Sequence, residues 1–89
     1  MAVYFVSYQI DEENQDYDDL VEAIEEYDGY CQIFENQWFV CSDGSAEDVH
    51  EDLVQYLYEG DFIFITEMGD NYHGWMPESV VDWLDENIE

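Results

Sequence analysis

The groups in this sequence that could do chemistry are almost all carboxylates. There are 25 Asp and Glu side chains, two His, two Cys and no Lys or Arg, for a formal net charge of -25 at pH 7. The acids are densest from Asp11 to Asp28, DEENQDYDDLVEAIEEYD, where ten carboxylates fall within eighteen residues. Such groups serve metal ligation, acid–base catalysis or electrostatic recognition. A calcium loop needs D-x-D-x-D-G with a Glu at its twelfth position, and the chain contains none. Asp11, Glu12 and Glu13 can collect divalent cations only loosely, so no metal site and no cofactor are expected. Paired carboxylates can hydrolyse a glycosidic bond, but one short domain leaves little room for a substrate cleft. His50 and His73 form no recognisable triad with Ser or Cys, so no enzyme is expected. Cys31 and Cys41 make no CxxC pair and have no His at zinc spacing; both are expected to be buried free thiols.

Electrostatic recognition is the remaining use. A net charge of about 2 to 8 in magnitude keeps an ordinary small domain dispersed, and this chain far exceeds that. Over the roughly 5,500 Å² that a folded chain of 10.6 kDa exposes, the charge amounts to about one uncompensated negative group per 220 Å². That density repels nucleic acid and anionic lipid, and its self-repulsion makes folding salt-dependent. Carboxylates at i, i+3 and i+4 on a helix stand about 5 to 6 Å apart, while duplex DNA carries one negative charge per about 1.7 Å of axis. Acids fixed in such rows can occupy a Lys- and Arg-lined cleft and exclude nucleic acid from it.

The expected partner-binding residues are Asp11, Glu12, Glu13, Asp18, Asp19, Glu22, Glu25 and Glu26 on and before a first helix. Glu47, Asp48, Glu51 and Asp52 on a second helix join them, with Asp82, Asp85 and Glu86 on a third. The expected partner is a basic nucleic-acid-binding protein. Tyr17, Tyr56, Tyr58 or Tyr72 would supply aromatic anchors. Direct binding to nucleic acid or to a membrane is not expected. Two alternatives share the composition: a salt-adapted acidic domain, and an antitoxin-like regulatory subunit that neutralises a basic partner. The absence of Arg as well as Lys favours mimicry over salt adaptation.

These acids must be held by a fold. Ala2 to Tyr8, AVYFVSY, predicts a strand buried on both faces. After a polar loop, Asp16 is expected to cap a helix to about Tyr27, with Tyr17, Leu20, Val21, Ile24 and Tyr27 on its inner stripe. Gly29 is expected to end it. Tyr30 to Glu35 and Trp38 to Ser42 predict two antiparallel strands joined at Asn36 and Gln37. Ser45 with Asp48 makes a capping-box start for a second helix to about Tyr58, with Ala46, Val49, Leu53, Val54 and Leu57 inward, and Gly60 stops it. Phe62 to Glu67, FIFITE, predicts a fourth strand, again buried on both faces. Pro77 starts a third helix with Val80, Val81, Leu84 and Ile88 inward.

The order β-α-β-β-α-β plus a terminal helix is that of a ferredoxin-like α+β sandwich with a four-stranded antiparallel sheet. It fits one domain over residues 1–89, with a core at 1–68, a loop at 69–76 and a C-terminal helix at 77–88. Two helices cover one face of such a sheet. Strands apolar on both sides require a cover for the other face as well: the terminal helix, a partner or a second copy. The pattern favours a homodimer through that open face. The longest uncharged apolar run is far shorter than the roughly 20 residues of a membrane span, and the N-terminus lacks the basic segment of a signal peptide; both place the chain in the cytoplasm.

The opening YFVSYQ, the stretch DYDDLVEAIEEYDGYCQIFENQWFVCS, the helix start SAEDV and the GW at Gly74 and Trp75 resemble the small SinR-like or Cas-two-like ferredoxin-fold proteins associated with CRISPR loci. The resemblance spans about residues 2 to 76 and implies the same fold. In nucleolytic relatives an aspartate follows the aromatic residue at the end of strand one and is implicated in metal binding at a dimer interface; here Gln9 follows Tyr8. An amide is a poor ligand for a hard divalent ion, and the basic surface that would hold nucleic acid is absent. The resemblance therefore implies the fold without the nuclease. The acidity resembles that of the DNA-mimic inhibitors that phages and mobile elements direct against nucleases, restriction systems and CRISPR effectors, which implies an anti-defence inhibitor, for example anti-CRISPR or anti-restriction, in the host cytoplasm.

Overall fold

A computed structural model describes residues 1–89 except Glu12, Asn14 and Glu89. The chain forms β1 (Ala2–Gln9), α1 (Asp18–Glu25), β2 (Gly29–Phe34), β3 (Gln37–Ser42), α2 (Ala46–Val54), β4 (Phe62–Met68) and α3 (Glu78–Asn87). Every strand pairing is antiparallel and the sheet order is β2-β3-β1-β4. This is the ferredoxin-like arrangement that the element order predicts, with the terminal helix added.

Successive side chains of β1 point to opposite faces of the sheet, and both faces are covered. On one face Tyr4, Val6 and Tyr8 pack with Trp38 and Val40 of β3 beneath Leu20, Ala23 and Ile24 of α1 and Val49 and Leu53 of α2. On the other, Val3, Phe39 and Cys41 pack beneath Val80 and Leu84 of α3, and the Trp83 ring stacks on Phe39 with centroids 6.2 Å apart. The continuous apolarity of β1 is thus the pattern of a central strand between two helical layers. Its polar tips are satisfied: Tyr4 donates to the Gly44 carbonyl at 2.6 Å, and the Trp38 indole donates to the Tyr8 hydroxyl at 3.0 Å. The second face is therefore covered in part by the chain's own terminal helix.

β4 departs from the expectation of burial on both faces. It is an edge strand whose last residue, Met68, packs with the α3 core while Phe62 and Phe64 are 68% and 66% exposed. Only its other side, Ile63 and Ile65, packs against the α1–α2 core.

The helix ends follow local chemistry. At α2, Ser45 Oγ accepts from the Asp48 N–H at 3.2 Å while an Asp48 carboxylate oxygen accepts from the Ser45 N–H at 2.9 Å, the reciprocal capping box. Ser45→Ala is expected to lower stability by about 1 kcal/mol, read as a lower thermal unfolding midpoint. α1 starts later than predicted: Tyr17 occupies the cap position, and Asp16 accepts from the Asp18 N–H at 2.9 Å. α2 stops at Val54, which is exposed rather than inward. Gly29 does not terminate α1. It lies in β2, where an added Cβ would stand 2.9 Å from Cys41 Sγ, so its role is close packing. Gly60, at φ 92°, closes the turn in which the Asp61 N–H reaches the Tyr58 carbonyl, a backbone conformation suited to glycine.

Candidate functional site

α1 and α2 cover the same face of the sheet, so their outward acids share one side of the molecule. Asp18, Asp19, Glu22, Glu25 and Glu26 are exposed along α1, and Glu47, Asp48, Glu51 and Asp52 along α2. Asp11 and Glu13 are exposed in the preceding loop; Glu12 lies outside the described residues. α3 covers the opposite face, so Asp82, Asp85 and Glu86, all exposed, belong to the other layer. The three helices therefore do not present their acids on one surface: those on α1 and α2 lie on one side of the sheet and those on α3 on the other. Among the described residues no charged side chain is buried.

With no Lys or Arg to pair with, carboxylates are tied across elements by tyrosine hydroxyls. Tyr17 donates to Asp61 at 2.6 Å, Tyr27 to Asp52 at 2.7 Å and Tyr72 to Asp85 at 2.7 Å. The first ties the start of α1 to the start of β4, the second α1 to α2, and the third the loop after β4 to α3. Each is a charge-assisted bond; Asp52 and Asp85 are exposed and Asp61 half-buried, so none suffers the full desolvation of a buried ion. Burial first, then the Asp61 or Asp52 carboxylate, pushes the Tyr17 and Tyr27 hydroxyls above the usual tyrosine range; for Tyr72 the Asp85 bond leads. Of the two free thiols expected to be buried, Cys41 is and Cys31 is half-buried; burial raises both, which favours the protonated form.

These shifts fix the sign of an alkaline effect. A folded-state pKa above the unfolded one means that the unfolded chain loses its protons first as pH rises. The stabilisation is fully present at neutral pH and declines above about pH 9 for the thiols and about pH 10 for the tyrosines. Thermal midpoints are expected to fall through that window, with a shallower fall in Tyr27→Phe.

The sheet's second face holds a groove of about 790 Å³ between β1–β3 and the wall formed by α3 and the loop before it. Phe5, Phe39 and Met68 belong to its floor, and Tyr72, Met76 and Leu84 to its wall. A register shift between Gln32 and Phe34 of β2 brings the consecutive residues Ile33 and Phe34 both to the groove, which a regular strand would separate. Beyond α3 the pairings Phe34↔Gln37, Gln37↔Ser7 and Ser7↔Phe64 form one row across the sheet, where Gln37 donates to Ser7 at 3.3 Å between two exposed phenylalanines. Trp75, in the loop of the wall, is fully exposed.

No protein-family model, curated protein or solved structure matches the chain. What the site can do is therefore argued from its own residues. Among the described residues no group of three or more His, Cys, Asp or Glu side chains is placed to hold a metal ion, and no helix is long and apolar enough to cross a membrane. His50 is exposed on α2 and His73 lines the groove.

The anchors are redistributed. Tyr17 is a core residue, Tyr56 and Tyr72 are half-buried, and of the four expected only Tyr58 is exposed, its hydroxyl on the Asp16 carbonyl at 3.3 Å. The aromatics left on the surface include Phe34, Phe62, Phe64 and Trp75. Alternation in FIFITE separates the two Phe from the two Ile, but only the edge position of β4 makes the Phe side the open one.

Proposed function

We propose that the protein is an acidic mimic of the nucleic-acid backbone that occupies the basic cleft of a nucleic-acid-binding protein and keeps nucleic acid out. The observation that carries this reading is the pair of carboxylate rows on α1 and α2, held side by side over one core in a chain without Lys or Arg. Rigid helices hold the acids at spacings fixed before binding, so little ordering is required when they meet Lys and Arg side chains. A basic cleft supplies the missing countercharge, and steering by fields of this size raises association rates by about 10- to 1,000-fold. A target among nucleases, restriction enzymes or CRISPR effectors, a phage or mobile-element source, and descent from a Cas-two-like scaffold are parts of the same proposal. The test is capture of partners from a plausible host lysate, followed by competition between the captured protein's labelled duplex and this chain. Displacement that weakens steeply with salt is expected. Capture without any nucleic-acid-binding protein, or no competition at about 0.1 M salt, where the Debye length is about 10 Å, overturns the reading.

A second reading has one observation in its favour. Acids also cover α3 on the opposite layer, as general salt adaptation would place them. A chain that folds only in molar salt would favour this reading.

A further inference from the structure

We infer that the groove between α3 and the sheet docks a basic amphipathic segment of a protein partner, its apolar side chains on the groove floor and its Lys or Arg side chains against the surrounding acids. The apolar part of the argument is the open end of the second face. Phe34 and Phe64 lie 56% and 66% exposed on one row across the sheet, beside a groove floored by Phe5 and Phe39. Trp75, a residue type that dominates interface energetics, stands fully exposed between Gly74 and Met76 of the groove wall. The groove's 790 Å³ lies within the range of about 300 to 1,000 Å³ typical of binding sites.

The charge decides the occupant. Asp85 lines the groove, Asp82 lies one turn before it on α3, Asp70 is in the wall's loop, and Glu35 follows Phe34; all four are exposed, and the chain supplies no Lys or Arg to answer them. A neutral apolar occupant would exclude water from Asp85 without providing countercharge. A second copy docked by the same face would bring its own rim acids and no Lys or Arg to answer them. A segment with apolar residues at i, i+4 and i+7 and Lys or Arg between them satisfies both the floor and the rim. The inference rests on the basic-partner reading but uses the layer opposite the α1–α2 rows.

The test is calorimetric titration of the full chain with two synthetic lysine-rich helical peptides at the same salt concentration. One carries Leu at i, i+4 and i+7, and the other carries Ser in their place. The Leu peptide is expected to bind about tenfold or more tightly, with the discrimination lost in Phe34→Ser and in Phe64→Ser and retained in Val54→Ser on α2. Equal binding of both peptides overturns the inference, since charge alone would then account for it. A dimer in sedimentation that Phe34→Ser dissolves also overturns it, by giving the face to a second copy. Nucleic-acid competition by the Phe34→Ser chain reports on the α1–α2 rows separately, so either proposal can fail without the other.

Discussion

Replacing Asp18, Asp19, Glu22 and Glu25 together by Lys is expected to abolish competition with nucleic acid for the partner while the chain remains folded. All four side chains are exposed on α1, and the change moves the formal charge from -25 to about -17. Close charge pairs across an interface couple by about 1.5 to 7 kcal/mol, and reversal turns attraction into repulsion, so the loss should exceed about a hundredfold. Stability should hold or rise. Reversal relieves self-repulsion, and Lys in place of Glu25 suits the negative C-terminal end of α1, which carries no basic residue in its last turn. Fluorescence anisotropy with a labelled duplex reads the first outcome and circular dichroism the second. Unfolding of the variant would show that these carboxylates are structural. The matching reversal of Asp82, Asp85 and Glu86 on α3 should leave duplex competition largely intact, because those residues lie on the other layer.

Leu53→Ala is expected to lower stability by about 2 to 5 kcal/mol, a large share of the roughly 5 to 15 kcal/mol that holds a domain together. Leu53 has no exposed surface and sits in the core that joins α1 and α2 to the sheet. Self-repulsion makes the loss salt-dependent in its visible effect. At about 0.01 M salt the Debye length is about 30 Å, close to the 36 Å longest dimension of the molecule, so acids repel across most of it; at about 0.15 M it is about 8 Å. The variant should be largely unfolded at the lower salt and recover on addition of salt, while the parent chain shows only a rise in midpoint. Thermal unfolding of both chains over that series is the measurement. Midpoints insensitive to salt would remove self-repulsion as a significant cost.

Much of this was legible locally. The inner stripe of α1 and the Ser45–Asp48 box follow from side-chain spacing along one helix, because a helix repeats every 3.6 residues whatever it packs against. The antiparallel order follows from element succession and short connections. Gly29 and β4 were not legible. A glycine after a helical stretch looks like a helix stop, and only the approach of Cys41 Sγ, from the neighbouring strand, shows why no side chain fits there. FIFITE looks doubly buried until the sheet order puts it at an edge.

The sequence by itself determined the element order, the sign and density of the charge, and the fact that no carboxylate could find a Lys or Arg within its own chain. Those are properties of composition and of periodicity over a few residues, which folding cannot alter. Tertiary structure decided which layer each helix joined. It thereby divided the acids between two surfaces, matched Tyr17 with Asp61 and Tyr27 with Asp52, and left an aromatic groove open beyond α3. Each of these depends on distances between residues far apart in the chain. Such distances are set by how the layers pack, and no local pattern encodes them.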